Sequence, residues 1–573
     1  MKKFYFVLGL MAMMCMISAV SLQGQVTIVG SSTNYTTIQA AINAAPSGST
    51  IYVSPGLYNE RIVINKPLTL LGATAGVNKN GYSVPPGYAW NPMVESIISN
   101  PPFQSGDPDD SVVVDISATN NVTFEGFIVQ SLNSLPNSIH LLRVDGPADN
   151  IIVRNNVIGP NTNIVNQTGT NGRMGLYLAA PHYVGRKKDI TNSLFQRNKI
   201  FDCKGNGNNV FVWGNATTYS ATTRATFTDT AIEDNEIYGS HRSGIEIAGS
   251  ADDLTIRKNI IYNNSGFSGD APNDLKWGNG IVIIRMGGDK GCPENSAPNT
   301  TCAGALGQGP DGLKIENNEI YQNQKNGIYM GPINSNHQII GNEIRDNGWD
   351  GIRLDLLEEY HAGSKDVFHM TTNIVANCNT IKGNTGYGIR IVGEPTNGFL
   401  LNGINNWWGA ASGPGGVGAG TGDSVSDYVL FNPWLKAPIF NIEQAKIDWK
   451  KKPDDDKIMV KGFIIPPACW NGVIPGDPVT FTIGKFTQRI FMDVKDNGKK
   501  WEYKRDKGDS GIKDMKLELK KNEITFEIHV DREELAAMSA WTNPVMISLQ
   551  IGDNKGAAIV PMKEHKDKWE YHK

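Results

Sequence analysis

A short motif repeats through the middle of the chain: Asn-x-Ile, followed about nine residues later by Gly-Ile-x-Ile or a close variant. Two pairs of successive copies begin 24 residues apart, and the longer steps contain insertions. A unit this short holds only small strands and turns, so it buries an apolar face only against its neighbours. The pattern predicts a β-solenoid. The copies begin at Asn235, Asn259, Asn318, Asn342 and Asn379, with weaker ones at Asn156 and Asn198.

Each residue type in the motif has a physical reason to be there. Branched apolar side chains stack on their equivalents about 4.8 Å above and below, and so fill the interior. Asparagine at a corner tolerates left-handed backbone geometry and can form an amide ladder with the next coil. Glycine before the strand is expected to take the same backbone geometry, since it has no Cβ.

The motif also predicts which side chains face outward. In Gly-Ile-x-Ile both isoleucines face inward, so x and the residue two positions later face outward. Aromatic residues occupy the earlier copies of these columns and charged residues the later ones. One column is Tyr177, Phe211, Glu246, Val282, Tyr329, Arg353 and Arg390, and the other is Ala179, Trp213, Ala248, Ile284, Gly331, Asp355 and Val392.

The N-terminal region supplies a cap for the solenoid. Residues 37–45 place apolar side chains at helical spacing and stop at Pro46, which predicts one short amphipathic helix. An uncovered coil is an open sheet edge, so this helix is the expected N-terminal cap. The first coils should begin with strands at 50–53, 62–64 and 68–71.

Residues 36–72, which run from Thr-Thr-Ile-Gln-Ala-Ala to Leu-Leu-Gly, resemble the opening of right-handed parallel β-helix proteins of the pectin-lyase-like superfamily. The central repeats are similar to the carbohydrate-associated repeats of that superfamily. Asn406-Trp-Trp-Gly409 and Asn432-Pro-Trp434 resemble the closing segment of secreted bacterial members. The resemblance covers about 36–435 and implies a superfamily rich in polysaccharide lyases, esterases, hydrolases and epimerases, but also in surface proteins without known chemistry.

The C-terminal part differs in composition and contains its own repeat. Residues 441–573 hold 24 Lys/Arg and 22 Asp/Glu, about a third of that part, which is a far higher charge density than before it. The segment from Met492 to Tyr503 returns at Met562 to Tyr571, which predicts a duplicated β unit forming a small β-sandwich. We expect an all-β chain with a signal peptide over 1–25, a right-handed parallel β-helix over 26–438 and the sandwich over 439–573.

The N terminus predicts export. Lys2 and Lys3 precede an uncharged apolar stretch that reaches about Val20, and Ala19-Val20-Ser21 offers small residues near a cleavage point, as in a secretory signal. The expected location is the periplasm, the cell surface or the medium, with no membrane span after signal removal. A net charge of −4 without a basic domain argues against a nucleic-acid partner.

Cysteine spacing suggests one disulfide. Cys292 and Cys302 lie ten apart in a segment rich in Gly, Pro and Asn, so we expect a loop-stapling bridge between them in an oxidising compartment. Cys203, Cys378 and Cys469 are too scattered for a metal cluster and are interpreted as core residues.

Three motifs of catalytic superfamily members are missing from the sequence. The Gly-x-Gln-Asp-Thr element of pectin methylesterases does not occur, nor does the Asn-Thr-Asp, Asp-Asp and Gly-His-Gly series of polygalacturonases. Asp107-Pro-Asp-Asp110 approaches the Asp-Pro-His-Asp of mannuronan epimerases, but has aspartate in place of histidine. It is interpreted as a solvated turn.

The densest group of reactive residue types runs from Arg353 through Asp355 to His361. A lyase needs a cation against the uronate carboxylate and a base for the adjacent proton, which Arg353 or Arg390 and His361 or His241 could supply. A hydrolase needs two opposed carboxylates, for which Asp355 pairs with Glu246 or Glu358. The alternative is an ion-pair ladder without chemistry. The predicted catalytic residues are therefore Arg353, Asp355 and His361.

These residues favour a secreted or surface protein that binds, and in one hypothesis cleaves, an extended acidic polysaccharide along the outward columns. The predicted substrate-binding residues are Tyr177, Phe211, Trp213, Glu246, Tyr329 and Arg390. No cofactor is required by this hypothesis, although Asp289 and Asp350 leave Ca2+ open. The alternative is a non-catalytic adhesion or spacer protein that attaches to the cell envelope through its C-terminal domain.

Overall fold

A computed structural model of the chain describes most of the residues from Gly24 onward. The described ranges are 24–101, 110–132, 138–161, 173–180, 188–205, 207–214, 225–266, 277–284, 309–332, 334–356, 371–395, 398–436, 438–450, 455–466, 478–495, 499–506, 509–520, 523–533, 535, 541–552 and 554–573. The chain divides into two compact units. Of the described residues, the first unit holds those up to Leu254 with 264–266 and Trp277, and the second holds 255–263, 278–284 and those from 309 onward.

The described secondary structure is nearly all strand. One α-helix, Ile38–Ala44, lies near the N terminus, and a 3-10 turn covers Pro86–Tyr88. Thr37 caps the helix, because its side chain accepts a hydrogen bond from the amide of Ala40, and the carboxylate of Glu60 accepts bonds from the first helical amides. No helix in the described ranges has the length and apolar character needed to cross a membrane.

The first unit is built from three sheets, which we name A, B and C in the order in which each coil visits them. Val26–Ile28 pairs antiparallel with its two neighbouring strands. The other pairs in these sheets are parallel and join a strand to the equivalent strand of the next coil. Sheet A contains Val26–Ile28, Asn34–Tyr35, Thr50–Val53, Leu68–Leu71, Asn120–Glu125, Ala148–Arg154, Ile190–Thr191, Leu194–Gln196 and Ala231–Glu233. Sheet B contains Gly56–Asn59, Ser96–Ser99, Phe127–Ser131, Val157–Asn161, Lys199–Phe201 and Glu236–Tyr238. Sheet C contains Ile62–Ile64, Asp110–Ser117, Ser138–Asp145, Leu176–Ala179, Val210–Trp213 and Ser243–Ala248, and a further pair joins Ala225–Thr226 to Ala251–Asp252.

The second unit repeats the three parallel sheets. Sheet A contains Thr255–Arg257, Lys314–Glu316, Gln338–Ile340, Val375–Asn377, Leu401–Asn402 and Val429–Leu430. Sheet B contains Ile260–Tyr262, Glu319–Tyr321, Glu343–Arg345 and Thr380–Lys382. Sheet C contains Asn279–Ile284, Ile328–Met330, Ile352–Asp355, Tyr387–Val392, Pro414–Gly416 and Gly422–Val425.

The interior of the coils is a stack of apolar side chains. In sheet A of the first unit, Leu70, Phe124, Val153, Phe195 and Ile232 follow one another in register, and all five are fully buried. Each contributes about 1.5–3 kcal/mol by leaving water. The predicted strands at 50–53, 62–64 and 68–71 and the predicted helix are confirmed.

Buried asparagines form the predicted amide ladder between sheets A and B. In the second unit the Nδ2 of Asn318 donates to Asn342 at 2.9 Å, Asn342 to Asn379 at 3.0 Å and Asn379 to Asn406 at 3.1 Å. Each of these three also donates to a backbone carbonyl of the preceding coil, as Asn342 does to Ile315 at 2.8 Å. The ladder therefore satisfies corner backbone groups that would otherwise be buried without partners.

The predicted backbone geometry of the corner was wrong in one detail. The ladder asparagine does not have a positive φ; the residue before it does, as Asn317 at +56° and Cys378 at +61° show. The motif glycines are also outside the left-handed region. Gly327 is required instead because a Cβ there would lie 2.7 Å from the carbonyl oxygen of Gly351.

The strands from Phe440 onward are antiparallel and form two sheets. The eight-stranded sheet runs in the order Asp493–Lys495, Lys500–Lys504, Gly511–Lys520, Glu523–Glu533, Asp456–Ile464, Phe440–Asp448, Lys568–His572 and Lys563–Glu564. The four-stranded sheet runs Phe486–Phe491, Pro478–Ile483, Val545–Ile551 and Asn554–Val560. One buried apolar cluster draws on strands of both sheets.

The strand order confirms the internal duplication. Each sheet maps onto itself when read from the opposite edge, with Pro478–Ile483 matching Val545–Ile551 at the centre of the four-stranded sheet. The hairpin that contains Trp501 occupies one edge of the eight-stranded sheet and the hairpin that contains Trp569 occupies the other. Both tryptophans are buried, at 5% and 3% exposure, so they belong to the core.

Candidate functional site

The predicted outward columns lie on the outer face of sheet C, in the register that the repeat indicated. In the first unit Tyr177 pairs with Phe211, which pairs with Glu246. The neighbouring column, which holds Trp213, follows the same register. The spacing of the Gly-Ile-x-Ile motif therefore located these side chains correctly.

Aromatic rings form a patch on sheet C of the first unit, here called the aromatic patch: His140, Tyr177, Phe211 and Trp213. The Tyr177 ring lies 4.8 Å from His140, 5.4 Å from Phe211 and 6.4 Å from Trp213, with which it is stacked. Tyr177 is buried, whereas Phe211 and Trp213 are half-buried. The two half-buried rings are those that a sugar ring could contact.

Glu246 is held by neighbouring polar groups rather than presented to solvent. It is buried at 1% exposure, and the Nη2 of Arg242 donates a hydrogen bond to its Oε1 at 2.9 Å, while the Nε of Arg242 forms an ion pair with Oε2 at 2.8 Å. Asn208 donates a second hydrogen bond, to Oε2 at 2.9 Å, and the Arg242 guanidinium lies 5.7 Å from the Trp277 ring. Both carboxylate oxygens are engaged, so Glu246 acts as the anchor of Arg242.

In the second unit the later members of the predicted column are Val282, Tyr329, Arg353 and Arg390, which pair in that order. Val282 and Tyr329 are buried, at 0% and 6% exposure. Arg353 retains 13% of its side-chain exposure and Arg390 retains 41%. Arg390 is therefore the accessible cation of this column.

Arg353 and Arg390 belong to a charged patch with Asp350, Asp355 and Tyr387. The Nε of Arg353 lies 3.2 Å from Asp355 Oδ2, and its Nη1 lies 3.8 Å from Asp350 Oδ2. The Nη1 of Arg390 lies 4.0 Å from the same Asp350 oxygen, and its guanidinium lies 5.0 Å from the Tyr387 ring. The patch thus balances two cations with two carboxylates.

Burial governs the titration of Asp350. Its removal from water raises the pKa of the carboxyl group above the usual range, against the opposing effects of the hydrogen bond from the Tyr387 amide at 2.8 Å and of the two arginines. Asp350 and Asp355 are both buried at 2% exposure. They position the arginines and do not form an open pair of opposed carboxylates as a hydrolase needs.

The patch contains residues that the sequence analysis did not assign to substrate binding. Tyr387 and Asp350 flank the Gly-Ile-x-Ile motif, so their positions were visible, but their contact with Arg390 was not. His140, in the aromatic patch, lies in a coil whose sequence lacks the Gly-Ile-x-Ile motif, so the repeat did not indicate it.

His241, one of the two predicted bases, accepts a hydrogen bond from the Gly205 amide at 3.2 Å, and burial lowers its pKa to about 4.

Several predicted residues lie outside the described part of the chain: His361, Glu358 and Asp289, and the cysteines Cys292 and Cys302. Cys203 is free and buried, as expected of a core residue. Cys378 is also buried, as expected of a core residue, but it is disulfide-bonded, which the sequence did not predict. The described residues contain no group of three or more His, Cys, Asp or Glu arranged to hold a metal ion.

The model of the right handed beta helix region matches residues 228–407 of this chain. The solenoid is a right-handed parallel β-helix. No curated protein matches the sequence significantly. The fold expected from the resemblance is therefore confirmed by the family match and by the parallel sheets.

Several solved β-helix structures are similar to this chain. The mannuronan C-5 epimerase A-module of Azotobacter vinelandii is 17% identical, with a TM-score of 0.31, over 69% of this chain and 94% of that one. The Dettilon tailspike protein is 12% identical, with a TM-score of 0.33, over 86% and 89%. A pectate lyase is 12% identical, with a TM-score of 0.34, over 70% and 76%.

Proposed function

We propose that this β-helix protein binds an extended acidic polysaccharide on the outer face of sheet C. The observation that carries the proposal is Arg390, a half-buried residue with 41% of its side chain accessible, whose guanidinium stands over the Tyr387 ring and shares the Asp350 carboxylate with Arg353. The Nη1 of Arg390 lies 4.0 Å from Asp350 Oδ2, which is an ion-pair distance but too long for a hydrogen bond, so Asp350 does not occupy the donors of Arg390. A uronate carboxylate can therefore take the remaining donors of Arg390.

The aromatic patch supports the same proposal for the first unit. Phe211 and Trp213 are half-buried, so part of each ring is open to contact. Because an aromatic ring is apolar, it suits contact with the apolar C–H face of a sugar ring. We assign sugar-contact roles to Phe211 and Trp213, and a supporting role to Tyr177.

The described contacts favour binding over cleavage. Arg353 is already engaged by Asp355 and Asp350, and Glu246 by Arg242 and Asn208. Catalytic roles for Arg353, Asp355 and His361 remain part of the proposal as a lyase hypothesis. Export of the protein, and attachment to the cell envelope through the antiparallel C-terminal sheets, are also proposed from the sequence.

Replacing Arg390 with alanine should weaken binding of an oligouronate about 10- to 100-fold. A hydrogen bond to a charged group contributes about 1.5–3 kcal/mol, and each 1.4 kcal/mol is tenfold in affinity. Isothermal titration with oligogalacturonate and with mannuronate oligomers, with and without Ca2+, measures this. Absorbance of unsaturated uronate and release of reducing ends in the same mixtures report cleavage.

The matched control is Lys314→Ala, which removes one exposed cation from sheet A. It should leave affinity unchanged. If no uronate oligomer binds the unaltered protein, the adhesion or spacer hypothesis is favoured instead. Equal losses in both variants would mean that nonspecific charge attraction, rather than Arg390, holds the ligand.

A further inference from the structure

A second candidate binding site lies in the second unit, on the outer face of sheet B rather than sheet C. It is a cleft of about 210 Å3 between two walls of different chemistry. One wall consists of the strands Glu319–Tyr321, Glu343–Arg345 and Thr380–Lys382. The other consists of residues from the antiparallel strands Phe440–Asp448, Asn554–Val560 and Lys568–His572 and from the segments beside them. None of the predicted catalytic or substrate-binding residues lines this cleft.

The sheet B wall is polar and its charges are mutually compensated. Glu319, Glu343 and Thr380 follow one another in register along the coils. Glu343 Oε1 lies 3.1 Å from the Nζ of Lys382 and 3.2 Å from the Nε of Arg345. These contacts hold the Glu343 carboxylate as a fixed hydrogen-bond acceptor without leaving an excess negative charge.

The opposite wall is largely apolar. Ile439, Phe440, Ala558 and Tyr571 line it, and the Phe440 ring is fixed by stacking on Phe526 at 5.3 Å. Phe440 is buried, whereas Ile439, Ala558 and Tyr571 are only half-buried. The cleft therefore offers hydrogen-bonding groups on one side and apolar contacts on the other.

This combination selects a chemical class of ligand. A charged ligand is disfavoured, because the glutamates of the sheet B wall stand beside Lys382 and Arg345 and leave no excess charge for an ion to neutralise. A pyranose matches, since its ring presents C–H groups on its faces and hydroxyl donors at its edge. The volume is below the roughly 300–1,000 Å3 of pockets for drug-sized ligands, so it suits one sugar unit rather than a chain.

We propose that this cleft binds a single neutral sugar unit, with its hydroxyl groups on Glu319, Glu343 and Thr380 and its ring face toward Tyr571. The inference goes beyond the proposed function, because it concerns another sheet and an uncharged ligand. It does not require that the sheet C site binds acidic polysaccharide, and the two can succeed or fail separately.

The test is titration of the full chain with neutral monosaccharides, namely glucose, galactose, mannose and rhamnose, followed by saturation-transfer NMR and calorimetry. Ala558→Phe should fill the cleft and abolish binding of the neutral sugar, and Glu343→Gln should weaken it at least tenfold. Thr480→Phe adds the same ring to the outer face of the four-stranded sheet, away from the cleft lining, and should leave binding intact.

Arg390→Ala separates this proposal from the sheet C site. It should leave the neutral sugar bound while it weakens the oligouronate. Because Glu343→Gln removes an ion pair and could impair folding, Ala558→Phe decides the matter, since it leaves every ion pair in place. Unchanged sugar binding in Ala558→Phe, or no binding of any of the four sugars to the unaltered protein, would overturn the proposal.

Discussion

Replacing Asn342 with alanine should lower the free energy of unfolding by about 3–6 kcal/mol. The Oδ1 of Asn342 accepts from the amide and the Nδ2 of Asn318, and its own Nδ2 donates to Asn379 and to the Ile315 carbonyl. Alanine leaves several of these buried groups without partners, and each such group costs about 1–3 kcal/mol. Asn342 is bonded to groups in the coils on both sides of its own. Moving one other side chain therefore cannot restore the lost hydrogen bonds.

Urea denaturation followed by circular dichroism measures this loss. The control is Gln338→Ala on the neighbouring strand, where the side chain is exposed and substitution should change stability by less than about 0.5 kcal/mol. Similar values for the two variants would mean that the ladder amides are replaced by water in the folded protein. The ladder would then contribute little to the free energy of unfolding of the coils.

Replacing Lys79 with methionine should stabilise the first unit by about 3 kcal/mol at pH 7. Lys79 is fully buried, and its Nζ makes no hydrogen bond in the described part of the chain; it lies 3.7 Å from the centre of the Tyr82 ring. Burial lowers its pKa to about 8, against the opposing effect of Glu95. A shift from about 10.4 in the unfolded chain to about 8 corresponds to roughly 3 kcal/mol.

The sign of the pH dependence follows from this shift. Below pH 8 the lysine is protonated in both states, and the folded protein bears the full cost of the buried charge. Between pH 8 and about 10 the unfolded chain binds more protons, so stability should rise with pH. The methionine variant should lack this rise, and denaturation of both proteins at pH 7, 8, 9 and 10 measures the difference.

The carboxylate of Glu95 is the group that could offset the cost of the buried Lys79 charge. Its carboxylate accepts a hydrogen bond from the Tyr82 hydroxyl at 2.8 Å, and burial, reinforced by this bond, raises the pKa of Tyr82 to about 12. Tyr82 therefore stays neutral across the pH range of the measurement. A flat wild-type profile between pH 8 and 10 would show that water reaches the Lys79 ammonium.

The repeat explains why so much of the fold was predictable. A motif that recurs once per coil fixes the register of every sheet it crosses, so the pairing of Tyr177 with Phe211 and of Arg353 with Arg390 followed from alignment alone. The duplicated C-terminal segment was visible for the same reason. Two similar halves form similar sheets.

The contacts of the site were not predictable in the same way. Whether an outward residue is exposed depends on what lies over the coil, and the motif carries no information about that; Tyr177 and Glu246 are outward yet buried. The sharing of Asp350 by Arg353 and Arg390 depends on where a turn places one side chain. Lys79 lies in a segment with no repeat, so nothing in its sequence indicated burial.

The most direct test of the sheet C proposal combines one change in the protein with one in the ligand. Binding of an oligouronate and of its carboxyl-reduced form is measured for the unaltered protein and for Arg390→Ala. We expect the unaltered protein to prefer the acidic form at least tenfold, about 1.4 kcal/mol, and the variant to show no preference. A preference that survives in Arg390→Ala, or equal binding of both ligands by the unaltered protein, would contradict it.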